Sequence, residues 1–244
     1  MERASNKNLK STYYKSYNLI KHISIKSLIR RKITNKIRYL IHKLNYELLH
    51  RYFLINNIKF RYFINTYNAV NSERVVEIPI AIEFLKKHKS NEILEVGNVL
   101  SYYFNLKKRI IVDKYEKAKD VLNIDILNYK PNKKFKAIIS ISTLEHIGFD
   151  EPVIENGKSL KAFIRIIKLL DKSGEALITV PLGYNPEIDD IIKNKRIKFS
   201  KKIYLKRVSI WNLWVQTDMK DALKQKYGQR YPAANAIAVL YLKK

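Results

Sequence analysis

Residues 93–99 decide the fold of the chain, and they read Ile93-Leu94-Glu95-Val96-Gly97-Asn98-Val99. The mostly apolar residues 93–96 predict a short buried strand. Gly97 follows at once, and glycine adopts the backbone angles that a tight turn requires. Because apolar residues resume after the turn, we predict a helix over 99–106. The stretch therefore predicts a strand, a turn and a helix in succession, which is the repeating unit of an α/β domain.

Strands and helices continue to alternate beyond this unit. We predict strands over 109–112, 121–124, 137–141, 176–180 and 236–242, and helices over 115–119, 153–170 and near 217–227. A helix over 73–87 precedes them, with Ser72 as its cap and Pro79 expected to kink or divide it. Gly174 is the predicted C-terminal cap of the helix over 153–170. This alternation predicts a parallel sheet covered on both faces, with functional side chains just after the strands.

Residues 1–71 form a predicted extension that is unusually basic. Residues 1–70 contain 15 Lys and Arg against 2 Asp and Glu, a net charge of +13 out of +26 for the whole chain. Apolar residues at spacings of three and four predict an amphipathic helix over about 24–49. Residues 50–68 predict a hairpin or an irregular segment with Asn56-Asn57 as its turn. The domain that carries the strands is predicted to span residues 72–244.

The composition excludes several classes of protein. The 244 residues include no cysteine, which excludes disulfides, thiolate zinc sites and a cysteine nucleophile, and we predict no metal site. No stretch approaches the ~18–20 uncharged apolar residues of a membrane-spanning helix. We expect a cytoplasmic protein, with a membrane surface as the alternative location. The basic charge attracts polyanions such as RNA or anionic lipid.

Three acidic residues stand at the ends of three successive predicted strands: Glu95, Asp113 and Asp125. A further motif begins inside the fourth predicted strand, and it reads Ile139-Ser140-Ile141-Ser142-Thr143-Leu144-Glu145-His146-Ile147. In this order and spacing the motifs resemble those of class I S-adenosylmethionine-dependent methyltransferases. The resemblance extends from about residue 73 to the C-terminus. It implies a Rossmann-like, mostly parallel, seven-stranded sheet and S-adenosylmethionine as the cofactor.

The resemblance also implies a cofactor site. Glu95, Gly97 and Asn98 would form the turn around the cofactor, although further glycines are usual where this chain has Val99. Asn98 tolerates left-handed backbone angles, so the turn can be kept. Asp113 would accept hydrogen bonds from the ribose hydroxyls.

Further along the chain, Asp125 would receive the adenine amino group, and Ile126 would pack on the ring. Ser142 would border the cofactor, and Thr143 the acceptor. His146 is either a general base or a residue that orients its loop. Tyr184 and Asn185, in the loop after the fifth strand, are the candidate acceptor-binding residues.

Three alternatives compete with this hypothesis. A nicotinamide enzyme typically has the pattern G-x-G-x-x-G at the first turn. At the three glycine positions this chain has Gly97, Val99 and Tyr102, so only one glycine fits. We therefore expect a methyltransferase that acts on a small molecule, a sugar or a surface glycan. The alternative is a methyltransferase-like RNA-binding protein, active or inactive, which the net charge and the interleaved aromatic and basic residues of 52–63 favour. A third alternative is that the helix over 24–49 binds to an anionic membrane surface.

Overall fold

The computed structural model describes residues 25–65 and 71–244. The chain divides into two compact units, residues 1–43 and 44–244. Helix α1 (Ile25–Leu48) occupies the range of the predicted amphipathic helix. Residues 1–24 and 66–70 of the predicted extension lie outside the described residues. Residues 44–65, which the sequence analysis assigns to the basic extension, belong to the second of these units. Within the described ranges, no helix is long and apolar enough to cross a membrane.

Strands β1 (Tyr52–Ile55) and β2 (Ile58–Arg61) form the predicted hairpin, which is antiparallel. Asn56 and Asn57 have φ angles of 48° and 64°. This left-handed pair is what a two-residue type I′ turn requires and what asparagine tolerates. The rings of Phe53 and Tyr62 are buried, with centroids 5.0 Å apart. Two of the aromatic residues that favoured RNA binding in the sequence analysis, Phe53 and Tyr62, are therefore part of the buried core.

Eight further strands form one sheet, and their bounds are β3 Ile93–Val96, β4 Ile110–Val112, β5 Val121–Leu122, β6 Phe135–Ile141, β7 Leu170–Pro181, β8 Lys201–Arg207, β9 Trp214–Thr217 and β10 Ala236–Lys243. The order across the sheet is β5-β4-β3-β6-β7-β10-β8-β9. The pairs from β5 to β7 are parallel, whereas β10, β8 and β9 pair antiparallel. The predicted α/β class with a mostly parallel sheet is confirmed. The described sheet has eight strands rather than the predicted seven, because the short segment β9 pairs with β8 at the edge.

The described helices after the hairpin are α2 Arg74–Leu85, α3 Lys158–Leu169, α4 Pro186–Lys193 and α5 Met219–Leu223. Helix α2 is not divided at Pro79. Proline has no N–H, so the carbonyl of Val75 loses its usual helical donor. The amide of Phe63 donates to that carbonyl at 2.9 Å instead. The hairpin segment thus supplies the hydrogen bond that proline removes.

Three predicted local features are wrong. The helix over 99–106 is only a 3₁₀ turn, Leu100–Tyr102. Residues 115–119 form no helix, although the Asp113 carboxylate accepts from the amides of Tyr115 and Glu116, as a helix N-cap would. Gly174 is not a helix cap but lies inside β7, since that strand begins directly after α3.

The sheet is covered on both faces. Successive residues of β6 face opposite sides, so that Ile138 packs with Phe163 of α3, and Ile139 packs with Ile78 of α2. The carboxyl ends of the parallel strands all meet at one edge of the sheet. This edge is where α/β sheets bind ligands.

Candidate active site

A cavity of about 450 Å³ lies at the carboxyl ends of β3, β4 and β6, beside the loop that follows β5. Its apolar wall is lined by Val96, Val112, Ile124, Ile126 and Ile147, and its polar wall includes Asp113, Lys114, Glu116, Asp125 and Glu151. The volume falls in the range of small-molecule sites, ~300–1,000 Å³. The strand order reverses between β3 and β6, which are neighbours in the sheet. Ligands of such sheets usually bind in the crevice at this point.

Gly97 joins two sides of this cavity. Its φ angle is 85°, and a Cβ atom added to it would lie 2.1 Å from Oγ1 of Thr143. No larger residue fits that space without movement. The turn after β3 and the loop after β6 are therefore in direct contact, and both line the cavity. Thr143 is the close neighbour of Gly97 in this structure.

Asp113 ends β4 and organises the turns around it. Its Oδ1 accepts hydrogen bonds from the amides of Tyr115 and Glu116 at 2.9 and 2.8 Å, and its Oδ2 accepts from the amide of Asn98 at 3.1 Å. A carboxylate has about four lone-pair sites, so roughly one is left for a ligand. Glu116 also lines the cavity and holds the Asn98 side chain at 2.7 Å. The site therefore offers two carboxylates here.

Glu95 lies beneath the turn and not in the cavity lining. Its Oε2 pairs with Nε of Arg109 at 2.5 Å, and its Oε1 accepts from the amides of Val99 and Leu100 at 3.0 and 2.7 Å. Burial raises the pKa of the Glu95 carboxyl, and the Arg109 guanidinium opposes that rise. The structure thus gives Glu95 contacts that hold the turn in shape. It does not bring this side chain to the surface that a ligand would touch.

Asp125 lines the cavity within a network of charges. Its Oδ1 accepts from the amide of Leu127 at 3.0 Å, and its Oδ2 lies 3.4 Å from Nζ of Lys114 and 3.7 Å from Nζ of Lys158. Both lysines also contact Glu151, at 2.9 and 2.6 Å. Partial burial disfavours the charged forms of Lys114 and Glu151, but the ion pairs favour those forms more strongly. The pKa of Lys114 is therefore raised, and the pKa of Glu151 is lowered. This wall of the cavity is therefore fixed and charged.

His146 and Tyr184 come together beside the cavity. Nδ1 of His146 hydrogen-bonds the Asp150 carboxylate, which also accepts from the Tyr184 hydroxyl at 2.6 Å. The two rings meet edge to face, with centroids 5.3 Å apart. Asp150, which links them, carried no signal in the sequence. The other ring nitrogen of His146, Nε2, lies 3.6 Å from Oε1 of Glu145.

Two predicted site residues lie behind the cavity. Ser142 is buried, and its hydroxyl donates to the Glu77 carboxylate at 2.6 Å. Asn185 is 2% exposed. It caps α4 by accepting from the amide of Glu187 at 2.9 Å and donates to the carbonyl of Glu145 at 2.7 Å. Both side chains therefore shape the loops around the site, and neither lines the cavity.

Four lining residues with polar side chains were not identified from the sequence: Lys114, Tyr115, Glu116 and Glu151. The first three follow Asp113 directly, so a turn at Asp113 was the available signal. Glu151 had none, because the irregular segment between β6 and α3 places it.

No protein-family model and no curated protein sequence matches the chain. Among solved structures, the chain resembles the N-methyltransferase NodS from Bradyrhizobium japonicum at 10% identity, with a TM-score of 0.44 over 70% of this chain and 96% of that one. It also resembles an rRNA methylase from Streptococcus thermophilus at 12% identity, with a TM-score of 0.37 over 68% and 96%. A third is the 1,6-didemethyltoxoflavin-N1-methyltransferase from Burkholderia thailandensis, solved with 1,6-didemethyltoxoflavin and S-adenosylhomocysteine, at 14% identity and a TM-score of 0.34 over 62% and 70%. All three are methyltransferases or methylases, the class that the sequence motifs resemble.

Proposed function

We propose that the chain is an S-adenosylmethionine-dependent methyltransferase that acts on a small molecule, a sugar or a surface glycan. The main support is that Gly97, Asp113 and Asp125, from three separate motifs, line one cavity. A nucleoside needs an apolar surface for its ring and acceptors for its hydroxyl and amino groups. The cavity offers both.

The lining residues fit the parts of this cofactor. Ile126 offers apolar surface to the ring, and Asp125 offers a carboxylate to the amino group. Asp113 and Glu116 together offer acceptors to the ribose hydroxyls. The Oδ1 atom of Asn98, in the turn beside Gly97, is buried without a hydrogen-bond partner. A buried acceptor of this kind calls for a donor, which the amino-acid portion of the cofactor would supply.

The protein's task is to align the acceptor and to exclude water. When bound, the cofactor supplies a methyl group that its sulfonium already activates. The acceptor's lone pair would receive this methyl group, and the cofactor's sulfur would keep the electron pair of the bond to it. His146, held by Asp150, takes the proton that a hydroxyl or ammonium acceptor releases. Thr143 and Tyr184 would border the acceptor.

Isothermal titration with S-adenosylmethionine and S-adenosylhomocysteine tests the cofactor site. We expect both to bind, and we expect Asp113→Asn and Asp125→Asn each to weaken binding by roughly tenfold or more, because hydrogen bonds to a charged group contribute ~1.5–3 kcal/mol. Asp120→Asn, in the exposed loop between β4 and β5, is the matched control and should bind like the wild type. Absence of binding at millimolar cofactor would contradict the proposal.

The RNA-binding alternative rests on the net charge of +26. Its support from the hairpin is reduced, since Phe53 and Tyr62 are buried. RNA affinity that falls steeply with salt would favour it. An anionic membrane surface is likewise a prediction from charge, and co-sedimentation with anionic vesicles tests it.

A further inference from the structure

A cluster of carboxyl groups lies inside this strongly basic chain, next to the candidate active site. Glu73, Glu77 and Glu145 are 6%, 0% and 1% exposed. Arg74 is the guanidinium that faces them, and it pairs with Glu77. We call these four residues the acidic cluster. Arg207 also lies within electrostatic reach of Glu73. The three carboxyl groups still outnumber the two guanidinium groups near them, and burial makes an excess of negative charge costly.

The members of the acidic cluster differ in how well they are bound. Glu77 also accepts from the Ser142 hydroxyl at 2.6 Å, and Glu73 accepts from the amide of Ala234 at 3.3 Å. Oε2 of Glu145 is buried and has no hydrogen-bond partner. Burial raises the pKa of Glu145 well above its ordinary value, with Glu77 and Glu73 adding to the rise and Arg74 opposing it. The cluster thus leaves one buried acceptor atom, Oε2 of Glu145, without a hydrogen-bond donor.

The Glu145 carboxyl group lies next to the cavity without being part of its lining. Oε1 of Glu145 lies 3.6 Å from Nε2 of His146, and His146 lines the cavity. Tyr184 and Tyr227 lie within electrostatic reach of the same carboxyl group. Their rings meet at a centroid distance of 4.8 Å, and Tyr227 is 36% exposed. The faces of tyrosine rings attract cations. The Glu145 carboxylate and the rings of Tyr184 and Tyr227 therefore favour the same kind of ligand, a cation.

We propose that the acidic cluster recognises a positively charged amine and that this amine is the methyl acceptor. The proposal rests on the proposed methyltransferase function and narrows it. An ammonium group supplies both the charge that the cluster lacks and the N–H donor that Glu145 lacks. A neutral sugar hydroxyl supplies no charge, and a phosphorylated acceptor would be repelled. The amine must lose a proton, to His146 or to water, before its nitrogen lone pair forms the bond to the methyl carbon.

Binding of matched amines and alcohols tests this inference in the full chain. The probes are propylamine, 2-phenylethylamine and 1,4-diaminobutane, each compared with the alcohol of the same skeleton. Titration is carried out with and without saturating S-adenosylhomocysteine. We expect at least one amine to bind ten times more tightly, or better, than its alcohol. If no amine exceeds its alcohol, the inference is wrong.

Glu145→Gln identifies the group responsible. It keeps the shape of the side chain and removes the charge, so we expect the preference for the amine to fall at least tenfold. Glu83→Gln, an exposed carboxylate on α2 that pairs with Lys86, is the matched control and should keep the preference. An unchanged preference in Glu145→Gln would overturn the assignment. If that variant does not fold, the wild-type comparison of amine with alcohol still decides.

The two proposals fail in different ways. Binding of S-adenosylhomocysteine without any preference for amines overturns this inference and leaves the methyltransferase proposal standing. A preference for amines without binding of S-adenosylhomocysteine overturns the methyltransferase proposal and leaves a cation-binding site.

Discussion

Replacing Gly97 by alanine tests directly how the cavity is built. The backbone has a φ angle of 85° at this position, and an L-residue in left-handed geometry costs ~1–2 kcal/mol. The added methyl group would lie 2.1 Å from Oγ1 and 2.6 Å from Cγ2 of Thr143. Overpacking of this kind costs ~1–3 kcal/mol. We therefore expect Gly97→Ala to lower the free energy of unfolding by roughly 2–5 kcal/mol.

Gly157 provides a matched control. Its φ angle is 82°, and a Cβ atom added there meets nothing within 4 Å. Gly157→Ala should therefore show the backbone cost alone, ~1–2 kcal/mol. Thr143→Ala removes two of the atoms that clash, so combining it with Gly97→Ala should recover part of the loss.

Urea denaturation measures these free energies for the wild type, the two glycine variants and the double variant Gly97→Ala/Thr143→Ala. Titration with S-adenosylhomocysteine reports the effect on the cavity. We expect Gly97→Ala to bind more weakly than Gly157→Ala. Equal destabilisation by the two glycine variants, with no recovery on adding Thr143→Ala, would refute the reasoning, because the contact would then contribute nothing.

Three further predictions concern stability. Glu95→Gln leaves Arg109 buried without its counter-ion and should lower the free energy of unfolding by ~3–5 kcal/mol in urea; a loss below ~1 kcal/mol would contradict the buried pair. Burial raises the pKa of Glu145, so its unfolded carboxyl ionises first as pH rises above 4.5, and wild-type stability falls through that window. The stability of Glu145→Gln relative to wild type should therefore increase with pH, and a constant difference would count against this. Asn57→Val, at a φ of 64°, should cost ~1–2 kcal/mol in thermal unfolding while Asn57→Gly costs almost nothing; equal effects would exclude the turn as the cause.

The parallel strands could be predicted because their signal is local. Each is a short apolar run, and both faces of the sheet are covered, so no partner is needed to recognise it. Strand β9 could not, since Trp214–Thr217 becomes a strand only by pairing with β8. The predicted helix over 99–106 is reduced to the turn Leu100–Tyr102. The Glu95 carboxylate accepts from the amides of Val99 and Leu100 at the start of that turn, a contact that apolar periodicity does not reveal.

The candidate site divides in the same way. Gly97, Asp113 and Asp125 line the cavity because each follows a strand, and strand ends converge. The acidic cluster brings Glu73 and Glu145 within electrostatic reach across 72 residues of chain. No spacing rule connects residues so far apart. Residues that act through distant partners therefore needed the structure.

The hairpin β1–β2 has a consequence for how the chain behaves in concentrated solution. The outer strand of an open sheet exposes backbone groups that can pair with another molecule. Here the Tyr62 hydroxyl accepts from the amide of Trp214 in β9 at 2.7 Å and lies 3.3 Å from its carbonyl, while Asn56 and Gln216 exchange two hydrogen bonds at 2.7 and 2.9 Å. The hairpin thus occupies part of that edge. A shortened chain beginning at Ser72 would keep every residue of the cavity and yet be prone to aggregate through β9.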